Sequence, residues 1–294
     1  MLLALATRSD LPEWETDDRA LHRELAVRGV AFEQPVWDDP TIDWRRFDAV
    51  LIRTTWDYQE KLPAFRRWSR AVAACTRLDN PDPVVQWNLH KHYLRELERR
   101  GVALAPTRWL DRGAAADVGT LVAGLGCAEG FLKPCVGSTA RETLRFTADR
   151  DGIAEAQAHV DRLLPHEDLM LQPFLRSVTE RGEWSAIFVA GRITHCVRKV
   201  PKAGDYRVQD DFGAHDEPFV PSAAERAAAE RAFAAACACL VRDDLLYARA
   251  DFLWDDAGDS VLTELELVEP SLFFRHGPHA AAALADAWLS RVGR

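Results

Sequence analysis

Tyr247-Ala248-Arg249-Ala250-Asp251-Phe252-Leu253-Trp254, the turn residues Asp256-Ala257-Gly258-Asp259, and then Ser260-Val261-Leu262-Thr263-Glu264-Leu265-Glu266-Leu267-Val268 decide how this chain is read. Two apolar runs flanking an Asp-Ala-Gly-Asp turn predict a hairpin over 247–255 and 260–268. A turn centred between Ala257 and Gly258 sets Asp251 opposite Glu264. Glu264 and Glu266 are two apart on a strand and so share a face. Three carboxylates thus converge among Phe252, Leu253, Trp254, Leu262, Leu265 and Leu267. Like charges facing each other destabilise a sheet, so a cation has to neutralise them, and Glu264→Gln should leave ligand-free stability equal or higher. An oxygen-only set on rigid strands suits Mg²⁺ carrying phosphate oxygens. The plainer alternative is a solvated face whose acids keep the sheet soluble.

Working outward, strands outnumber helices from residue 131 onward and are mostly antiparallel. Phe131–Pro134, Thr143–Thr147, Asp168–Phe174, Glu183–Ala190 and Arg192–Val200 predict strands. A polar loop then runs to about Pro221. Helices are predicted over Asp149–Leu164, in an Ala-rich stretch ending at Arg242, and over His279–Val292. The first part of the chain alternates in the βα manner: strands Leu2–Ala6, Val30–Val36 and Phe47–Arg53, helices Asp17–Arg28, Leu62–Ala74 and Asn88–Arg100. Asn88 reads as a helix cap and Gly101 as a helix stop. The strand Phe47–Arg53 runs into Thr54-Thr55-Trp56-Asp57-Tyr58, where open parallel sheets bind ligands; an aromatic-capped loop is the equal alternative.

A chain of 294 residues implies about two domains. Its 37 Lys and Arg against 46 Asp and Glu give a net charge of −9, which excludes a general nucleic-acid or anionic-membrane binder. No apolar run approaches the roughly 20 residues of a membrane span. The opening Met1–Ala6 lacks the basic region of a secretion signal. Six cysteines without a C-x-x-C predict reduced thiols and a cytoplasmic protein. Only five residues are lysine (61, 91, 133, 199, 202) beside 32 arginines, so each lysine points to a place where a compact ammonium is wanted. Lys133 follows an apolar strand and precedes Gly137-Ser138-Thr139. Such a loop can offer backbone N–H groups and hydroxyls to phosphate; taken alone, it reads as an ordinary hairpin. The G-x-x-x-x-G-K-[ST], G-x-G-x-x-G, G-x-S-x-G and H-E-x-x-H motifs are absent. His90-x-His92 lacks a further ligand at metal spacing and reads as surface or core.

In chain order, Lys91, Lys133-Pro134 with its Gly-Ser loop, Leu171-Gln172-Pro173-Phe174, Gly182-Glu183-Trp184-Ser185, Arg198, Arg207, Asp251, Glu264 and Glu266 resemble an ATP-grasp ligase. The resemblance covers essentially the whole chain and is closest to the glutathione-synthetase and ribosomal-protein glutamate ligase branch. Within that branch, residues 264–272 and 53–58 resemble the group containing the cyclo-ligase that makes D-cycloserine from O-ureido-D-serine. The fold implied is the α/β ATP-grasp fold. An N-terminal βα pre-ATP-grasp domain would span 1–88 and the ATP-grasp region 89–294, with a Gly-Ser-loop subdomain over about 108–175 and a metal-binding subdomain over 176–294.

The resemblance also implies roles. Lys91 and Lys133, with Ser138 and Thr139, would hold the ATP phosphates. Gln172, Pro173, Phe174 and Leu175 would form the adenine hinge, with Glu183 or Glu180 near the ribose. Asp251, Glu264 and Glu266 would carry two Mg²⁺, and Arg207 would stabilise the transferring phosphoryl group. Here Ala140-Arg141-Glu142 replaces part of a loop that is often richer in glycine. A carboxylate would be activated as an acyl phosphate and attacked by a nitrogen. If Arg53, Thr55, Trp56 and Asp57 face Glu269 and Ser271, they enclose a small pocket of both charge signs, suited to an amino-acid derivative. The expected partner is that small substrate, with neither nucleic acid nor membrane, and a homo-oligomer is allowed. A peptide-forming ligase would share every ATP residue, whereas a non-catalytic nucleotide-binding module need not keep three metal carboxylates.

Overall fold

The computed structural model describes residues 1–11 and 17–293. Three sheets follow one another along the chain. The first contains β1 (Leu2–Thr7), β2 (Ala31–Glu33), β3 (Ala49–Thr54) and β4 (Arg77–Asp79), all parallel, in the order β2-β1-β3-β4. All six residues of β3 are buried, as befits a parallel strand covered on both faces. Strand alternation sends Ala4, Ala6, Val50 and Ile52 against Phe65 and Val72 of α2 (Leu62–Ala73). Leu3, Leu5 and Leu51 go to the other face, against Leu21 and Leu25 of α1 (Arg19–Val27).

Beyond this sheet the expected helix Asn88–Arg100 is two helices, α3 (Asp82–Asn88) and α4 (Tyr93–Arg99), with Lys91 in the turn between them. Asn88 does not cap a helix. Its amide serves a distant strand edge, described below.

The second sheet contains β5 (Arg108–Leu110), β6 (Glu129–Pro134), β7 (Leu144–Thr147) and β8 (Leu169–Pro173) in the order β5-β8-β6-β7, all antiparallel. Helices α5 (Val118–Leu125) and α6 (Arg150–Leu163) cover it through Val118, Val122, Ala156 and Val160. The loop joining β6 to β7 holds Thr139, Ala140 and Glu142 at φ of +50°, +52° and +52°, a left-handed conformation costly for residues with a Cβ.

After the short α7 (Ser177–Glu180), the third sheet contains β9 (Glu183–Val189), β10 (Arg192–Val200), β11 (His215–Phe219), β12 (Tyr247–Trp254) and β13 (Ser260–Glu266), in the antiparallel order β11-β10-β9-β12-β13. β11 lies inside the stretch expected to be loop. Helix α8 (Ala223–Leu240) packs Ala232, Phe233 and Ala236 onto this sheet. The closing helix α9 (Pro278–Val292) places Leu284 and Trp288 in a core shared by Leu3 and Leu5 of the first sheet and Ile187 and Val189 of the third. The two sheets are therefore welded through one apolar cluster. Among the described residues, no helix is long and apolar enough to cross a membrane.

The decisive hairpin forms, with one difference. Its loop is centred on Ala257, so Trp254 pairs with Ser260, Leu253 with Val261 and Phe252 with Leu262. Thr263 then stands as an extra residue on β13, and the register beyond it becomes Asp251 with Glu264 and Arg249 with Glu266. The predicted facing of Asp251 and Glu264 is thus produced by a β-bulge, a device that re-aims side chains beside functional sites.

Candidate active site

β13 is the last strand of its sheet, and its free edge is closed by side chains of the α3–α4 segment. Asn88 donates through Nδ2 to Leu265 O (2.7 Å) and accepts at Oδ1 from Leu267 N (2.7 Å). Tyr93 Oη accepts from Leu265 N (2.9 Å), and Leu262 N donates to Ala103 O (2.9 Å). These bonds satisfy an edge that would otherwise be open for pairing. They also fix Lys91, which lies between Asn88 and Tyr93, against β13. Its Nζ sits 2.8 Å from Glu264 Oε1 and 3.0 Å from Gly137 O.

The acidic face is compensated by protein cations. Arg249 donates to Asp251 through Nε (3.0 Å) and Nη2 (3.0 Å) and pairs with Glu266. Lys199 pairs with Glu183 and lies 3.3 Å from Asp251 Oδ2. Ser185 Oγ donates to Asp251 Oδ1 at 2.6 Å. Burial alone would raise Asp251, but Arg249 and Lys199 beside it hold its carboxyl well below the usual range. Glu266 goes the other way. Burial, with Asp251 and Glu264 as neighbours, pushes it up to about 7 despite Arg249. Lys133 has a different setting: among the described residues its Nζ reaches only Thr263 O, at 3.3 Å, and burial with Lys91 nearby lowers its pKa.

A cavity of about 730 Å³ joins this face to the second sheet and to the first. Gln172, Pro173, Phe174 and Leu175, with Phe131, Val178, Tyr206 and Leu253, give it an apolar end. The Gln172 side chain is spent on Thr107 Oγ1 (2.8 Å), so the hinge offers the cavity its backbone and the Phe174 ring. Ser138 and Thr139 line the cavity, as does Arg207, whose guanidinium pairs with Asp205 at 2.7 Å and lies over the Phe212 ring. Glu183 lines it beside Lys199. Glu180 does not: it ends α7 in an exposed position. Arg198, one of the residues that carry the family resemblance, does not face the cavity: strand alternation turns it to Glu217, while Lys199 faces the cavity.

At the opposite end the segments 53–57 and 264–271 do meet. Trp56 Nε1 donates to Glu269 O (2.9 Å), and Arg53 Nη2 donates to Pro270 O (3.2 Å). Arg53 is 2 % exposed and grips Asp18 through Nε and Nη2 at 3.0 and 2.7 Å. Glu269 is buried in the cavity wall, where desolvation and the charges of Glu266 and Glu264 raise its pKa well above the ordinary value. Ser271 Oγ donates to Asp17 (3.2 Å) at the rim. Thr55 and Asp57 lie outside the cavity lining. Thr55 is wholly buried, and Asp57 is occupied by the Trp37 indole (2.8 Å) and Lys61 (2.9 Å).

Residues 3–80 match the family model described as the N-terminal domain of D-cycloserine synthetase DcsG. The whole chain is 32% identical to the cycloserine biosynthesis protein DcsG of Streptomyces lavendulae, over 99% of each chain. The crystal structure of D-cycloserine synthetase DcsG superposes with a TM-score of 0.90 at 30% identity, covering 99% of this chain and 100% of that one. This chain belongs to the D-cycloserine synthetase family of ATP-grasp ligases. The D-alanine–D-alanine ligase of Bacillus anthracis shares the fold, with a TM-score of 0.69 at 13% identity over 100% of this chain and 99% of that one.

As a member of this family the protein is a C–N bond-forming ligase, and ATP-grasp ligases in general use ATP and Mg²⁺. The donors present suit a hard cation: Asp251, Glu264 and Glu266 offer only carboxylate oxygens, on adjacent strands, at the border of the apolar slot and the Gly-Ser loop. Several wall residues of this family member escaped the reading of its sequence. Lys199 carried a signal, because three of the five lysines line the cavity. Arg249 and Tyr206 carried none. Arg249 is one arginine among 32, and Tyr206, whose Oη lies 3.0 Å from Thr143 Oγ1, sits in a polar loop without periodicity.

Proposed function

We propose that the protein is an ATP-dependent cyclo-ligase that closes O-ureido-D-serine into D-cycloserine. The observation that carries this reading is the buried polar wall at one end of the cavity, where Arg53, held by Asp18, and Glu269 stand on segments tied together by the Trp56 and Arg53 hydrogen bonds. A wall with both charge signs suits a small amino-acid derivative. A long peptide would need an open groove, and this cavity of about 730 Å³ must also take a nucleoside triphosphate.

Lys91 and Lys133, with Ser138 and Thr139, bind the phosphates, and Arg207 from the loop after β10 faces the transferring group. Asp251, Glu264 and Glu266 would hold two Mg²⁺, which would supply positive charge as the phosphoryl group moves. The substrate carboxylate takes the γ-phosphoryl group and releases ADP. The oxygen-bound nitrogen of the same molecule then attacks the acyl phosphate and displaces phosphate. Because the ring of D-cycloserine carries no carbamoyl group, its loss as ammonia and carbon dioxide accompanies closure and consumes one water. The buried wall around Arg53 and Glu269 shields the acyl phosphate from hydrolysis.

The test is ADP release with Mg-ATP and a single compound. O-ureido-D-serine alone should suffice, and D-cycloserine should appear in equal amount. ADP that forms only when a second amine is added overturns the cyclo-ligase reading in favour of a two-substrate ligase.

A further inference from the structure

Beside Lys91, three potential metal ligands from two distant parts of the chain meet. His90 and His92 flank Lys91 in the α3–α4 turn, and Cys135 directly follows β6. One ligand atom from each can be chosen so that all three lie within 4.8 Å of one another. The imidazole centroids are 4.2 Å apart, and Cys135 is 1 % exposed. Among the described residues, the buried His92 Nε2 has no hydrogen-bond partner. A buried polar atom left without a partner is unfavourable, and the arrangement needs an explanation.

The surroundings hold the three in place. Lys91 N donates to Cys135 O (2.8 Å), and Cys135 N donates to Asp168 O (2.8 Å). Asp168 accepts from Arg112 N through Oδ1 (2.6 Å), and its Oδ2 lies 3.0 Å from His90 Nε2 and 4.0 Å from His92 Nε2. A carboxylate on one ring nitrogen of a histidine fixes the tautomer and leaves the other nitrogen's lone pair for a metal. On His90 that other nitrogen, Nδ1, now takes only a long 3.3 Å contact from His92 N. Burial and the neighbouring His92 lower the pKa of His90, against the pull of Asp168.

We propose that His90, His92 and Cys135 form a second metal site, distinct from the carboxylate site and selective for a borderline-soft divalent cation of the Zn²⁺ type. Two imidazoles and a thiol suit Zn²⁺ and reject Mg²⁺, which demands oxygen. Asp168 is the positioning residue, and water completes the tetrahedron. The Cys135 thiol gives its proton to solvent when the metal binds. An occupied site ties the Lys91 turn to the strand end that leads, two residues on, to Gly137, and so fixes the lysine against the phosphate loop. The inference does not depend on which substrate the ligase uses.

Untagged protein, loaded with Zn²⁺ and dialysed into metal-free buffer containing excess Mg²⁺, should retain one Zn²⁺ per chain by elemental mass spectrometry. Co²⁺ in its place should give the near-ultraviolet thiolate-to-cobalt band. Cys135→Ser and His92→Gln should each reduce retention at least tenfold and remove the band, and Asp168→Asn should weaken affinity about 10–100-fold. Zn²⁺ retention in Cys135→Ser equal to that of the parent overturns the proposal. The same holds if the Co²⁺-loaded parent lacks the thiolate band, a result that needs no variant to fold.

Discussion

Glu264→Gln separates two accounts of how the acidic face is held. If the carboxylates merely repel one another, removing one charge leaves the ligand-free protein as stable or more so. The structure gives Glu264 a partner instead, the Lys91 Nζ at 2.8 Å, with side chains 29% and 8% exposed respectively. A charge-assisted hydrogen bond is worth about 1.5–3 kcal/mol. Glutamine keeps an amide oxygen for the ammonium, so the loss falls at the lower end. Against it stands the relief of Glu266 and Glu269, both of which Glu264 pushes up. Glu264 is partly solvated and Glu266 already has Arg249, so this relief stays below about 1 kcal/mol. The net effect is a destabilisation of about 1 kcal/mol, or roughly 2 °C in thermal midpoint for a chain of this size. Differential scanning calorimetry without nucleotide measures it, and a cycle with Lys91→Met should return a coupling of about 1 kcal/mol or more between the two sites. A midpoint equal to or above the parent's, with additive single variants, refutes the lysine-compensated account. ADP formation should meanwhile be lost in a folded protein; normal turnover would remove Glu264 from the metal set.

Two further outcomes follow from neighbouring groups. Lys133→Ala should weaken ATP binding by about 1–3 kcal/mol, the scale of a lost charged hydrogen bond, without lowering ligand-free stability, because among the described residues its ammonium holds only the long contact to Thr263 O. Isothermal calorimetry showing unchanged affinity takes Lys133 out of the site. Glu266, raised in the fold from 4.5 to about 7, favours the folded state while protonated. That contribution is complete below pH 4.5 and fades as pH rises through about 7. The parent should therefore lose stability relative to Glu266→Gln across that interval, and parallel pH–stability curves for the two proteins contradict the assignment.

What the sequence made legible was local or periodic. The two-residue repeat put Glu264 and Glu266 on one face, and the Asp-Ala-Gly-Asp turn located the hairpin. The facing of Asp251 and Glu264 came out right because two deviations cancel: the loop is centred on Ala257, and Thr263 adds a residue. Neither can be read from apolar patterning, since a bulge changes pairing without changing composition. Asn88 misled because its side chain has the chemistry of a cap but serves the edge of β13 across 177 residues. β11 was invisible for a related reason. His215-Asp216-Glu217-Pro218-Phe219 is polar and carries a proline, which an outermost strand tolerates and which lowers its β signal. Past the end of β3 the chain leaves the strand, so the stretch 53–57 showed that residues would face the cavity but not which. Trp56 does, while Thr55 and Asp57 turn into the core.

The same placement explains how an acidic chain can attract a polyphosphate. Glu183, Asp251, Glu264, Glu266 and Glu269 line the cleft, and Lys91, Lys133, Lys199 and Arg249 stand among them. Lys91, Lys199 and Arg249 are each within ion-pair distance of a carboxylate, so meeting a phosphate means sharing or breaking an existing contact. Among the described residues of the cleft, Lys133 is the lysine whose hydrogen-bond partner is a carbonyl, Thr263 O, rather than an acid. It can take a phosphate oxygen with no ion pair to give up. Lys91, one contact from Glu264 and one from Gly137 O, bridges the metal face and the phosphate loop. A cation placed on Asp251, Glu264 and Glu266 would compete with Lys91 and Arg249 for the same oxygens, and this competition should turn the lysine toward the loop. Metal and nucleotide should therefore bind with positive coupling through Lys91, while Lys133 contributes affinity that is independent of the metal.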